Sequence, residues 1–151
     1  MIQRKQSLLL FQVIFLGISL IIIPVVNVTI AQSVRHVSLF LNQTDPEITT
    51  STGHLAATLL NFVAVLLSLF TLLQFKKLAL QHKLSRVIAI IYISLTLMIL
   101  FCPFIELKEG QTSNQSYLAA AVGLVAAFGA WQAGRFIKKD IELLKSVDRI
   151  R

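Results

Sequence analysis

Four long stretches of this chain contain no Asp, Glu, Lys or Arg: residues 6–34, 48–75, 87–105 and 110–134. Charged residues occupy only 14% of its 151 positions and hydrophobic ones 56%, whereas a soluble domain carries about 25% charged residues. A chain this short keeps a large surface relative to its volume, so its interior cannot hide that apolar excess. Lipid is left as the solvent for most of its side chains. Cysteine is almost missing. The lone Cys102 excludes an internal disulfide and a cysteine-clustered zinc site, and it reads as a small buried hydrophobe. Acidic residues are also scarce, seven against fourteen Lys and Arg. The net charge of +7 does not point to nucleic acid, because the basic residues flank the apolar runs rather than forming a patch of their own.

Each uncharged stretch is long enough to supply the roughly 20 residues that a helix needs to cross about 30 Å of hydrocarbon. Trimming the polar ends places helices near 8–30, 55–75, 87–105 and 117–135. Helices are required because a backbone in lipid must satisfy its own hydrogen bonds, and the runs lack the alternation of a barrel strand. The fold class is therefore all-α: a polytopic bundle of four transmembrane helices over residues 1–135, followed by a basic tail over 136–151.

The charges between the runs set an orientation. Arg4 and Lys5 precede the first helix; Lys76, Lys77, Lys83 and Arg86 separate the second from the third; Arg135, Lys138, Lys139, Lys145, Arg149 and Arg151 follow the fourth. Only Arg35 and Lys108 fall on the other side, beside Asp45, Glu47, Glu106 and Glu109. The positive-inside rule then predicts both termini in the cytoplasm. The first run could be read as a cleaved signal, with Thr29-Ile30-Ala31 as the cleavage site. Its apolar stretch from Leu8 to Val26 exceeds the usual ~7–15 residues of a signal core, so an uncleaved anchor is expected.

Within the helices, Pro24 and Pro103 are expected to kink or end the first and third, since proline removes a hydrogen bond and clashes with the preceding turn. Their similar placement suggests two hairpins, 1–75 and 76–151, in a weak parallel repeat. The fourth run carries Ala119, Gly123 and Ala127 on one four-residue spacing and Ala126, Ala130 and Gly134 on another. Small residues so spaced let helix backbones approach closely in lipid, which predicts a tightly packed centre or a subunit interface. Trp131, close to Arg135, reads as an interfacial anchor. Beyond it, Ile137, Ile141 and Leu144 recur at helical spacing among Lys138, Lys139, Lys145 and Arg149, an amphipathic extension suited to anionic lipid headgroups or to a partner. Residues 34–41 read equally as a short helix or a strand.

Chemistry is harder to find. No Asp, Glu, Lys or Arg lies inside a span, and such residues are the usual marks of transport or proton relay. His36 and His54 fall outside together, but nothing fixes a metal-ligand spacing, and His82 reads as a solvated loop residue. Asn61 and Gln12, amides in hydrocarbon, are expected to bond between helices, though at different depths. No catalytic, cofactor or metal site is assigned, and no cofactor is expected.

The opening MIQRKQSLLL, the proline-containing end of the first helix, the connector LLQFKKLALQHKLSRV and the closing GRFIKKDIELLKSVDRIR together resemble an uncharacterised family of small four-helix inner-membrane proteins of the Bacteroidota. The resemblance runs nearly the whole length and is most specific at Met1-Ile2-Gln3-Arg4 and at the tail. The family start commonly has Ile where Lys5 stands, and Ala133-Gly134-Arg135-Phe136 replaces its usual residues before the tail. The resemblance implies a bacterial inner-membrane location but brings no activity with it.

The expected function is a non-enzymatic, membrane-embedded structural or accessory protein. Its partners are the lipid bilayer, anionic headgroups at the basic loop and tail, and a second copy or another membrane protein, with no role for nucleic acid. The alternative is a small-solute transporter or channel-like oligomer, and a membrane enzyme comes third.

Overall fold

A computed structural model describes residues 3–30, 33–39, 49–74, 77–102, 104–106 and 112–148. Helix α1 spans Gln3–Ile22, α2 Thr52–Leu73, α3 Leu78–Phe101 and α4 Tyr117–Asp148. All four are long and apolar enough to cross a membrane, and the protein is all-α in class. Five short strands accompany them among the described residues: β1 Pro24–Ile30, β2 Ser33–Ser38, β3 Thr49–Thr50, β4 Ile105–Glu106 and β5 Thr112–Gln115.

The helices pack in sequence order around a ring, with α3 against α4 the most extensive contact and α1 against α4 closing the circle. The buried faces of α2 and α4 are mainly small or polar, whereas α1 and α3 also bury bulky side chains such as Leu10, Leu20, Ile88, Tyr92 and Leu95. On α2 the buried residues are His54, Ala57, Asn61, Ala64, Ser68 and Thr71, alternating three and four apart. That is the spacing of a helix seam packed on neighbours. Leu55, Leu59, Phe62, Leu66, Phe70 and Leu73 are exposed on the outside. The arrangement inverts that of a soluble bundle. In lipid, large apolar side chains gain nothing by hiding, and close contact between small residues holds helices together. Ser68 Oγ donates to Ala64 O at 2.7 Å and Thr71 Oγ1 to Leu67 O at 2.7 Å, so both hydroxyls are satisfied one turn back.

The first helix ends earlier than its hydropathy suggests. Expected near 8–30, it stops at Ile22, because Pro24 lacks the N–H that would continue the ladder. Pro24 therefore terminates the helix instead of kinking it. The β-branched run Val25, Val26, Val28, Thr29, Ile30 then suits a strand, and β1 becomes the centre of an antiparallel sheet ordered β2-β1-β5. Val28 lies opposite Arg35 on one side and Ser113 on the other. Val25, Val26, Val28 and Val37 are buried in the common core with Leu20, Leu95 and Ile99, so the sheet caps one end of the bundle. Ser33–Ser38 thus resolves as a strand a segment whose sequence allowed either form.

Two ties hold the sheet end to the helices. Ser116 N donates to Val25 O at 2.8 Å, while Ser116 Oγ accepts from Ala119 N at 3.4 Å, an N-cap that fixes the start of α4 on β1. Ser51 N donates to Phe104 O at 3.0 Å, joining the approach to α2 with the exit from α3. Helix α3 starts at Leu78, nine residues before its expected start near 87, and ends at Phe101. Pro103, expected to kink or end it, lies outside the described residues. Helix α4 runs without a break from Tyr117 to Asp148, so the helical extension expected beyond 135 continues the fourth span directly.

Candidate functional site

Two polar layers and one groove stand out against the apolar bundle. The first layer lies at mid-height, where three helices converge on Gly17. Asn61 Nδ2 donates to Gly17 O at 3.1 Å, an interhelical bond from α2 to α1. The contact requires glycine: a Cβ there would stand 2.3 Å from Tyr92 OH and 2.6 Å from Val65 Cγ2. Tyr92 on α3 is fully buried and reaches across the ring to α1. Among the described residues neither its hydroxyl nor Asn61 Oδ1 finds a hydrogen-bond partner. Just above, Gly123 on α4 presses on α3, where a Cβ would lie 2.4 Å from Thr96 Oγ1.

The second layer lies at the end opposite the sheet. Ser85 Oγ donates to Ala130 O at 2.6 Å, and one turn lower His82 Nδ1 bonds Gly134 O at 2.9 Å. A carbonyl can only accept, so Nδ1 of His82 carries the hydrogen. A Cβ added at Gly134 would meet Ser85 and His82 only at ordinary contact distances, 3.6–3.8 Å. His82 is half-buried within α3 and clasps α4. The sequence reading of a solvated loop residue fails because α3 begins before it. Gln81 Nε2 donates to Thr71 O at 3.3 Å, and Gln6 Nε2 donates to Asp140 Oδ2. Gln6, Gln81 and Asp140 are all buried. Asp140 thus ties the extension of α4 back to the start of α1, and Ile137 beside it is fully buried.

The groove runs between α3 and α4 on the outer surface of the bundle. It is about 550 Å³ in volume and is lined by Arg86, Ala89, Ile90 and Ile93 from one helix and by Leu124, Ala127, Phe128 and Trp131 from the other. Arg86 and Trp131 directly follow the bonded residues Ser85 and Ala130, so they stand at one level. Arg135 Cζ lies 4.9 Å above the Trp131 ring, a cation–π contact that holds the guanidinium beside the groove mouth.

Of the small residues singled out from the sequence, Ala119, Ala126 and Ala130 are fully buried and Ala127 nearly so. Gly123 and Gly134 face α3, so this stripe is occupied within the chain. Trp131, Arg135, Lys138, Lys139 and Lys145 are exposed, with Lys138 Nζ 3.7 Å from Glu142 Oε1. Arg149 lies outside the described residues. Gln12 is exposed in a shallow recess it shares with Gln132 and Phe136. His54 Nε2 donates to Ser38 O at 3.0 Å and meets Phe104 edge-on, while His36 Nδ1 bonds Asn27 Oδ1 at 2.7 Å. Each of these histidines is thus engaged separately. Among the described residues no three His, Cys, Asp or Glu side chains are grouped to hold a metal.

Sequence reasoning passed over Gly17, Tyr92, Ser85 and the α2 seam. The α2 seam has a visible signal in its small and polar residues at three-and-four spacing. Gly17 has none, since a single glycine in an apolar run gives no hint of which helix crosses it.

Compared with known protein families, the chain matches the family described as Domain of unknown function (DUF4293) over residues 2–150. No curated protein and no solved structure matches it.

Proposed function

The chain belongs to the DUF4293 family, and we propose that it works as a non-enzymatic, membrane-embedded structural or accessory protein of a bacterial inner membrane. In this reading both ends of the chain and the α2–α3 link lie in the cytoplasm, and the sheet lies outside. The sorting of basic residues supports that orientation. Trp131 and Arg135 then sit at the cytoplasmic boundary, and α4 beyond them is the contact surface.

The observation that carries the proposal is the length and anchoring of α4. Its 32 residues rise about 48 Å at 1.5 Å each, well beyond the ~30 Å of hydrocarbon. Ile137 and Asp140 hold the first turns of the extension against the bundle, so the remainder projects as a stiff continuation. That remainder exposes Leu143 and Leu144, 53% and 56% accessible, next to Lys145. Exposed leucines among lysines suit a partner helix or the inner leaflet with its anionic headgroups.

The test is co-purification in mild detergent with the full chain and with a chain ending at Ile141, which keeps the buried Ile137 and Asp140. Loss of bound proteins from the shortened chain is expected. Identical partners in both samples would remove the α4 tip from the account.

A further inference from the structure

We infer that the groove between α3 and α4 is a binding site for one anionic phospholipid, with an acyl chain in the groove and the phosphate on Arg86 and Arg135. The inference rests on the membrane reading above, which puts this end of the bundle at headgroup level.

Geometry and charge both favour this occupant. From Arg86 to Ile93 on α3, and from Trp131 back to Leu124 on α4, the walls rise about 10 Å, most of one ~15 Å leaflet. The upper walls are Ala89, Ile90, Ile93, Leu124, Ala127 and Phe128, which offer a hydrocarbon chain nothing polar. The lower end changes character abruptly. Arg86 lines it, and Arg135 is held on the Trp131 face. Among the described residues neither guanidinium forms an ion pair with a carboxylate; the ion pair found there is Lys138 with Glu142. Two guanidiniums at headgroup depth without acidic partners match a phosphate, for which arginine's planar fork is suited. A zwitterionic lipid offers the same phosphate but brings its own cation into the same mouth.

Trp131 is the sole tryptophan of the chain and lines the groove, so it reports occupancy directly. The purified full-length protein is reconstituted in phosphatidylcholine vesicles. Phosphatidylglycerol or phosphatidylcholine with brominated acyl chains is then added at matched mole fractions, and quenching of Trp131 fluorescence is followed. Phosphatidylglycerol is expected to be selected at Trp131 by roughly fivefold, the effect of about one basic residue at a charged surface. Arg86→Gln is expected to abolish most of that preference, while Arg86→Lys retains part of it and Lys145→Gln, distant along α4, retains all of it. Arg86 is exposed, so these variants keep the fold, which an unchanged thermal midpoint verifies. Equal quenching by the two lipids in the unaltered protein overturns the inference. So does a preference that survives Arg86→Gln, which would assign selection to the diffuse positive field. Quenching by neither lipid would mean that a second copy of the chain fills the groove, and also overturns it. The co-purification result for the α4 tip is read separately, so either proposal can fail alone.

Discussion

At the scale of single residues, the bundle depends on a few positions where a side chain is absent and a polar group takes its place. Gly17 is the clearest, since alanine there would drive its methyl into Tyr92 OH and Val65 Cγ2. Overpacking of this kind costs about 1–3 kcal/mol. Gly17→Ala is therefore expected to lower the thermal midpoint in detergent. Gly134→Ala should leave it nearly unchanged, because its methyl would sit 3.6 Å from Ser85 Oγ, an ordinary contact. Tyr92→Phe removes a hydroxyl that has no partner among the described residues; alone it should be neutral, and in the double variant it should recover part of the Gly17→Ala loss. A midpoint that ranks Gly134→Ala below Gly17→Ala would contradict this packing. The Gln6–Asp140 bond makes a second prediction. Removing either partner leaves the other buried without a bond, at about 1–3 kcal/mol, so Gln6→Leu is expected to destabilise the protein. Gln6→Leu with Asp140→Leu should restore most of the loss, as measured by thermal unfolding of the double variant beside Gln6→Leu and Asp140→Leu alone.

At the scale of elements, α4 organises the molecule: α3 and α1 both pack on it, and its start is fixed by Ser116 on β1. Hydrogen exchange in detergent should find backbone amides near 137–140 protected almost as well as those near 126–134, with faster exchange beyond 143. Gln6→Leu should loosen 137–140 without altering 126–130. Uniform fast exchange after Arg135 would instead show an extension independent of the bundle. The four helices were legible in the sequence because a charge in hydrocarbon is costly, so uncharged runs reveal spans with little ambiguity. Their ends were less legible, since a helix crossing into water loses nothing by carrying Lys83, Arg86 or Lys138. Strand β1 was hidden inside the first run because hydropathy does not distinguish a strand from a helix. Pro24 followed by Val25, Val26 and Val28 was the usable signal. The contacts of His82 and Asn61 could not be read from one sequence, because each bonds a backbone carbonyl, and any residue supplies one.

At the scale of the whole molecule, the protein has a sheet-capped end and a basic end, separated by a bundle whose outward face is bulky and apolar. Exposed Leu, Ile and Phe on every helix, such as Leu8, Phe62, Ile90 and Phe128, suit lipid on all sides. The asymmetry of the ends gives the molecule a direction, and the sorting of basic residues along the sequence supports the proposal that the basic end is cytoplasmic. The most direct test labels single cysteines with a membrane-impermeant maleimide in intact cells, after Cys102→Ala removes the native thiol. Ser113→Cys on β5 and Ser146→Cys near the end of α4 are suitable because both serines are exposed. The account predicts labelling of Ser113→Cys in intact cells, and of Ser146→Cys only after the membrane is permeabilised. Labelling of Ser146→Cys in intact cells with protection of Ser113→Cys would contradict it.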